Sequence, residues 1–481
     1  MWTPVVTAQE MHRLEQLAVK DGCSEELFMA EAGKKVASVV IECIEMEGLI
    51  RQVSLLIGKG NNGGDAWASG LSLLSQHIAV RALPLYPSQE CSELNQKFQK
   101  RFVEAGGKIE PIVGALDFSE DGLIVDGLLG TGFKGSVAPE MALVIEAAKA
   151  SKKPIIAIDI PSGLDGTTGV VSGSAIFAYE TVALGLAKSG FFLRDGWNHV
   201  GRLRVESFGL PQKFINQADM FGRIPNEESL ERLFPPIIRN RHKYQAGYVV
   251  GFSGSNILRG APKLAGLAAL RSGAGIVRIF HLEEIGDIPI DLICQKWNEK
   301  IWEKELARAG SVFLGPGIGR SKKIIQFLKK KLKDITIPMV VDADAIQGGI
   351  EYPKCAILTP HRGEVLRLLG IEDDRREEDL LARCQKWAHR HGCILVLKGA
   401  PTFIFSQDHP PVIIPRGDPG MAKAGTGDVL TGILAALLAQ KVKPMDAAIL
   451  GVFLHAIAGE KAAGEKSSYG MIASDLLYHL H

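Results

Sequence analysis

The chain has 481 residues, roughly three times the ~150 residues usual for one domain, so two or three domains are expected. Hydrophobic residues at 46% and charged residues at 23% exclude a mainly disordered chain. A net charge of +1 excludes a global field that would gather nucleic acid or an anionic membrane surface. Glycine is over-represented, 53 of 481 residues against a background of ~7%, which points to turns where backbone approaches a ligand closely. The seven cysteines, at 23, 43, 91, 294, 355, 384 and 393, contain no CxxC pair and suit a reducing compartment better than a disulfide framework. The sequence opens without a basic, then apolar, leader pattern. Its longest apolar stretch, 447–459, is shorter than the ~20 residues of a membrane span. A soluble, cytoplasmic enzyme that binds neither nucleic acid nor membrane is expected.

In chain order, helical patterning covers 8–47, and a buried-type strand at 53–57 runs into a glycine loop. Strands are predicted at 77–86, 123–125, 154–158 and 181–186, with a more alternating edge strand at 201–208. The segment 211–242 has turn-rich dipeptides and weak periodicity, so a boundary falls near 220 and divides the chain into domains 1–220 and 221–481. Beyond it, strands are predicted at 248–252, 275–280, 311–314, 338–341, 355–358, 393–397 and 412–414. Strands alternating with helices in both segments give an α/β fold with a Rossmann-like parallel sheet in the first half. The lysine-rich run 322–333 places Ile324, Phe327, Leu328 and Leu332 on one helical face, so its lysines read as a solvated surface.

In the first half, Gly58-Lys59-Gly60-Asn61-Asn62-Gly63 satisfies G-x-G-x-x-G between a strand and a helix. The second strand ends without an acidic residue to hold a ribose, and the loop carries two amides and Asp65, so a hydride-transferring dehydrogenase is a minor reading. Val125-Asp126 precedes the glycine-rich loop from Gly130 to Gly135, and Asp159-Ile160-Pro161-Ser162-Gly163 follows another strand. Carboxyl ends of parallel strands line one crevice. Clusters of Asn, Asp and Ser converging there form an oxygen-donor site with few carboxylates, which suits a cation of low charge. As single residues Asn61, Asn62 and Ser162 read equally well as turn formers; it is the three clusters at successive strand ends that favour a site. Lys134 is placed to neutralise a substrate phosphate.

These residues resemble the NAD(P)H-hydrate epimerase domain over most of residues 1–215. The resemblance implies that Asn62, Asp126 and Ser162 bind K⁺. It implies that Asn61, Asn62, Gly63, Gly64, Asp65, Gly130, Thr131, Gly132, Phe133, Lys134, Gly135 and Ser136 contact the hydrated nucleotide. Asp159 would be the acid/base, or an orienting group, in epimerisation at C6 of the hydrated ring. Ala66-Trp67 and Lys59 depart from the family pattern without removing a proposed ligand.

In the second half, Gly420-Met421-Ala422-Lys423-Ala424-Gly425-Thr426-Gly427-Asp428 opens an apolar helix. Small residues let successive N–H groups point at one anion, and the macrodipole adds to that pull. Asp428 in the first turn then stands where a carboxylate can take a proton from a hydroxyl attacking phosphorus. A plain N-cap at Thr426 or Asp428 needs no such run of small residues. Gly315-Pro316-Gly317, Asp342-Ala343-Asp344, Pro360-His361-Arg362 and Lys398-Gly399-Ala400-Pro401-Thr402 also follow predicted strands. Together they resemble the ribokinase-like fold and, within it, the ADP-dependent NAD(P)H-hydrate dehydratase. By that resemblance Lys398, Gly399, Ala400, Pro401, Thr402, Asp418 and the loop from Gly420 to Gly427 hold ADP with Mg²⁺, and Ala261, Gly317, His361 and Asp428 contact the hydrate. Asp428 would be the general base. Arg362, Asp418, Lys423 and Ala424 depart from the family pattern.

The combined expectation is a bifunctional repair enzyme that epimerises NADHX and NADPHX and dehydrates one epimer with ADP, assembled as a homo-oligomer. The alternative enzyme is a ribokinase-type small-molecule kinase with an accessory N-terminal binding domain. A non-enzymatic scaffold is disfavoured because all three proposed ion ligands are present. Cys384, His389, His391 and Cys393 are close enough in sequence to raise zinc, but their spacing fits no common finger.

Overall fold

The computed structural model describes residues 2–112, 114, 116–354, 356–372 and 377–480. The chain divides into two compact units, residues 3–222 and residues 223–481 with the first two residues.

The N-terminal unit begins with two helices rather than one continuous stretch. Ala8–Lys20 is capped by Thr7, whose hydroxyl accepts the Glu10 N–H, and Glu25–Glu47 is capped by Ser24. Gly22, at φ 97°, breaks the helical run that the 8–47 periodicity suggested. The sheet runs in the order Lys108–Ile109, Ala79–Pro84, Gln52–Ile57, Leu123–Gly127, Ile155–Ile158, Glu180–Leu184, Arg202–Glu206, all parallel. The central segments are short, continuous apolar runs buried along their length, as expected when helices cover both faces. From Gln52–Ile57 the chain first builds outward through Ala79–Pro84, then returns to place Leu123–Gly127 on the other side. That reversal is a topological switch point, and a crevice opens at the carboxyl ends of the two strands.

The C-terminal unit repeats this logic. Its strands lie in the order Ile293–Lys296, Ile276–His281, Tyr248–Phe252, Ser311–Leu314, Met339–Val341, Ile357–Leu358, Ile394–Leu397, Thr402–Phe405, Val412–Ile414. The switch point falls between Tyr248–Phe252 and Ser311–Leu314. Two pairings depart from the parallel pattern of the other strands: Ile394–Leu397 with Thr402–Phe405, and Thr402–Phe405 with Val412–Ile414, are antiparallel. The tight 398–401 turn, shorter than any helical crossover, requires that reversal. The strand expected at 355–358 is seen as Ile357–Leu358, Cys355 lying outside the described residues.

Helix Thr426–Ala439 is apolar on nearly all sides and buried throughout after its first turn. Gly432 lets it pack backbone-close to Ala261–Arg271, since a Cβ there would stand 2.1 Å from the Ala265 carbonyl. The apolar stretch 447–459 belongs to helix Pro444–Gly470, whose 27 residues make it long and apolar enough to cross a membrane. The apolar stretch alone understated its length, because the helix continues through the charged turn 460–466. Its buried residues, from Ala447 to Ala463, belong to the core of this unit. In helix Lys322–Lys331 the lysines 322, 323, 329 and 330 are exposed while Leu328 is buried.

Candidate active sites

At the N-terminal switch point, helix Asn61–Ser75 starts from Gly60 directly after the first strand. Asn62 is buried and its Nδ2 donates to the Leu129 carbonyl at 2.6 Å. Asp126 is fully buried. Its Oδ1 accepts the Ser162 hydroxyl at 2.6 Å and the Leu128 N–H at 3.2 Å, and its Oδ2 accepts the Ser162 N–H at 2.8 Å. The Ser162 hydroxyl in turn accepts the Leu129 N–H at 2.9 Å. Asn62, Asp126 and Ser162 therefore meet around the Leu128-Leu129 turn, although they come from three different strand ends. No cationic side chain pairs with Asp126 among the described residues, and burial pushes its carboxyl up to about 6.

A cavity of about 800 Å³ opens beside this cluster. Of the residues expected to contact substrate, Asn61, Asn62, Asp65, Gly130, Thr131, Gly132, Phe133, Lys134, Ser136 and Asp159 line it. Gly63, Gly64 and Gly135 do not. A Cβ at Gly63 would stand 2.0 Å from the Gly58 carbonyl, and one at Gly64 2.5 Å from the Met29 side chain, so these two glycines serve packing. Asp159 closes strand Ile155–Ile158 with φ 63°, a left-handed conformation uncommon outside glycine. Its Oδ1 accepts the Leu184 N–H at 3.0 Å and the fully buried Lys188 ammonium. Lys188 also donates to the Leu184 carbonyl at 2.8 Å.

Lys188 escaped the sequence reading, as did Asn95 and Glu15. Asn95 is fully buried on helix Glu93–Glu104; its Nδ2 donates to the Gly58 and Gly60 carbonyls, both at 2.9 Å, and its Oδ1 accepts the Trp67 indole N–H at 2.9 Å. Asn95 thus anchors the glycine loop, and Trp67 holds Asn95 in place. Ala66 is accommodated opposite Gly127, where a Cβ would approach its methyl at 2.6 Å.

In the C-terminal unit, Ala261 begins a helix and Gly317, at φ 67°, sits in the loop after Ser311–Leu314, on the two sides of the switch point. Asp342, Lys398 and Asp428 come together. Asp342 Oδ1 accepts the Lys398 ammonium and the Thr359 hydroxyl, each at 2.8 Å, and its Oδ2 accepts the Thr431 hydroxyl at 2.9 Å. Lys398 lies 3.8 Å from Glu364, and a Cβ at Gly427 would stand 3.2 Å from its ammonium. Burial opposes the charge on Lys398, but Asp342 and Glu364 outweigh it and hold its pKa above the usual lysine value. Burial first, then the negative charge of Asp342, push the Asp428 carboxyl up to about 7.

His361 caps helix Arg362–Leu369: its ring Nδ1 accepts the Gly363 N–H at 3.1 Å, and Glu364 accepts the His361 N–H at 2.9 Å. Gly425, at φ 96°, precedes helix Thr426–Ala439, and the Thr426 carbonyl accepts His455 Nε2–H at 2.8 Å. Burial pushes His455 down to about 4, so it is the neutral ring. Asp418 caps the turn Pro419–Met421 by accepting the Gly420 N–H at 2.7 Å, and also accepts the Ser468 hydroxyl at 3.0 Å. Lys423 does not stand free at the anion loop, because its ammonium donates to the Tyr469 and Met471 carbonyls. Gly399 and Thr402 close the 398–402 turn, the Thr402 hydroxyl donating to the Gly399 carbonyl at 3.0 Å.

No group of three or more His, Cys, Asp and Glu residues able to hold a metal exists among the described residues. Cys384 is buried in helix Glu377–His391, His391 stacks on Trp387 and His389 meets the Gln407 carbonyl, so the zinc constellation does not assemble.

Two mainly parallel-sheet units, each gathering polar residues at the carboxyl ends of its strands, define a two-site α/β enzyme of the nucleotide-binding class. Family models described as "YjeF-related protein N-terminus" and "NAD(P)H-hydrate dehydratase" match residues 25–190 and 249–481. The bifunctional NAD(P)H-hydrate repair enzyme of Moorella thermoacetica is 33% identical, covering 98% of this chain and 95% of its own. That of Escherichia coli is 34% identical over 88% and 83% of the two chains. The crystal structure of an ADP/ATP-dependent NAD(P)H-hydrate dehydratase from Bacillus subtilis is 29% identical, covers 53% of this chain and 95% of its own, and superposes with a TM-score of 0.48. The chain belongs to the bifunctional NAD(P)H-hydrate repair enzyme family.

Proposed function

We propose that residues 1–220 interconvert the R and S epimers of NADHX and NADPHX, and that residues 221–481 dehydrate the S epimer at the expense of ADP, giving AMP and phosphate. The observation that carries this reading is Asp428. It lies in the first turn of helix Thr426–Ala439, whose own leading N–H groups attract an anion, beside Lys398, while the N–H groups of Gly420, Met421, Ala422 and Lys423 are bonded within the loop. A carboxyl tuned near neutrality there is matched to take the proton of the ring hydroxyl as that oxygen accepts a phosphoryl group. Loss of the phosphate then restores the ring double bond. Lys398 and the loop from Gly420 to Gly427 would hold the nucleotide phosphates, and Ala261, Gly317 and His361 the hydrate. Mg²⁺ would supply charge neutralisation at the phosphates.

In the N-terminal unit, Asn62, Asp126 and Ser162 would hold K⁺. The donors fit: Asn62 keeps its Oδ1 free of the Leu129 contact, and Asp126 is a buried carboxylate with N–H and O–H partners but no counter-charge. A bound monovalent cation would compensate that charge and fix the Leu128-Leu129 turn at the cavity wall. Asp159 would exchange the proton of the hydroxyl on C6, and Lys134 would meet a substrate phosphate.

The test is recovery of NADH absorbance from an epimeric NADHX mixture with K⁺ and Mg²⁺, adding ADP or ATP in turn. Complete recovery with ADP, faster than spontaneous epimer exchange, is expected. Recovery with ATP alone would reassign the phosphoryl donor. Recovery that stops at the share of one epimer would remove the epimerase assignment, and none with either nucleotide would return the kinase alternative.

A further inference from the structure

Helix Ala8–Lys20 forms one wall of the N-terminal cavity through Ala8, His12, Glu15 and Val19, a single stripe at helical spacing. Met11, Leu14 and Ala18 of the same helix point into the core instead. Glu15 is half-buried and, among the described residues, its carboxyl makes no hydrogen bond or ion pair. It therefore faces the cavity without a structural partner. Asp159, held from behind by Lys188, lines the same space from the end of strand Ile155–Ile158.

Epimerisation at C6 of a hydrated nicotinamide ring can be written with atoms and electrons in balance. C6 carries both the hydroxyl and the bond to N1. When a base takes the hydroxyl proton, the C6–N1 bond breaks, its electron pair passes to N1 and is delocalised toward the carboxamide, and C6 becomes an aldehyde. Rotation about C5–C6 presents the other face, N1 re-attacks, and the new alkoxide takes a proton. One proton leaves oxygen and one returns, with no oxidant or reductant. The hydroxyl occupies opposite faces of the ring in the two epimers, so one carboxyl cannot reach it in both without large substrate movement.

Building on the epimerase reading, we propose that Glu15 is a second catalytic carboxyl of that reaction: Asp159 takes the hydroxyl proton of one epimer, Glu15 returns a proton to the other, and the roles exchange in the reverse direction. The pair carries one proton in its active form. Burial first, then the charge of Asp159, push Glu15 up to about 7, which keeps that proton available near neutrality. The other groups facing it are Asp65 from helix Asn61–Ser75, Glu25 from the following helix, Lys188 beside Asp159, and His12 on its own helix. Asp65 is itself held well above the carboxylate range by burial and by Asp159 and Glu15, so it does not take over the charge.

The sign follows directly. The proton on Glu15 is lost as pH rises through about 7, so epimerisation falls on the alkaline side of that value. The experiment uses the full chain and follows interconversion of separated R and S NADHX by chromatography across pH. Glu15→Gln should lower epimerase kcat by about 100-fold or more in both directions, leave KM within about threefold, abolish the alkaline limb and leave dehydratase activity unchanged. A kcat within about threefold of the parent, or a reduced kcat that keeps the parent's alkaline limb, overturns the proposal. Should Glu15→Gln lose both activities, Glu15→Asp decides: a limb displaced to lower pH supports the role, an unmoved limb overturns it. A parent enzyme that does not interconvert the epimers at all would remove the epimerase reading itself, a result seen before any variant is made.

Discussion

Asp342, Lys398 and Asp428 show how one half-buried lysine can serve two carboxyls unequally. Asp342 has the direct ion pair and two hydroxyl donors, while Asp428 makes none of these bonds among the described residues and feels only the attraction of Lys398. The more fully bonded carboxyl is the structural one, and the less bonded one keeps a proton affinity useful at neutral pH. Dehydration should therefore rise as pH increases through about 7, as Asp428 loses its proton and becomes a base. Asp428→Asn should reduce dehydratase kcat by about 100-fold or more while nucleotide binding, followed by calorimetry, is kept. The same variant should melt a few degrees higher at alkaline pH, because it removes a buried charge beside Asp342; the gain should vanish at acid pH, where Asp428 is already neutral. A variant that turns over within a few-fold of the parent would remove Asp428 from the chemistry.

At the scale of elements, the glycine loop is held by a side chain that the loop's own sequence does not reveal. Asn95 bonds two loop carbonyls and receives the Trp67 indole, so three polar groups depend on one amide. Asn95→Ala should cost about 2–4 kcal/mol, because each buried group left without a partner retains its desolvation penalty. It should lower epimerase activity more than dehydratase activity, which thermal melts and the two assays together would check. What the sequence made legible here was the class of element. Strand 53–57, the glycine loop and the polar residues of Asp126 and Ser162 stand on short apolar runs closed by turn residues, and both signals are local. Asn95, Lys188 and Glu15 carried no local signal, since each sits in an ordinary helical or strand context and reaches its partner only through the tertiary fold. The same reason explains Gly63 and Gly64, whose need for glycine comes from the Gly58 carbonyl and the Met29 side chain. The antiparallel end of the second sheet was missed because Thr402–Phe405 follows the 398–401 turn so closely that the two read as one loop.

At the scale of the whole chain, each unit carries its own core and its own cluster of polar residues at strand ends. The groups assigned to epimerisation all lie in residues 3–222, and those assigned to dehydration all lie in residues 223–481. If the two chemistries are independent, damage to one should leave the other intact, and the shared S epimer should pass through solution. Asn62→Ala removes a proposed ion ligand and should stall conversion of an R and S mixture at the share of the S epimer plus slow spontaneous exchange. Asp428→Asn should epimerise normally but recover no NADH. Mixing the two variants should then restore complete recovery of NADH, at a rate that rises with the concentration of each. Complementation rests on one intact site of each kind per mixture, so it does not require the two to belong to one molecule. If the mixture instead stalls where Asn62→Ala alone stalls, the epimerase site of the Asp428→Asn chain is impaired. The two crevices would then be coupled, and the division of labour drawn from their separate sheets would fail.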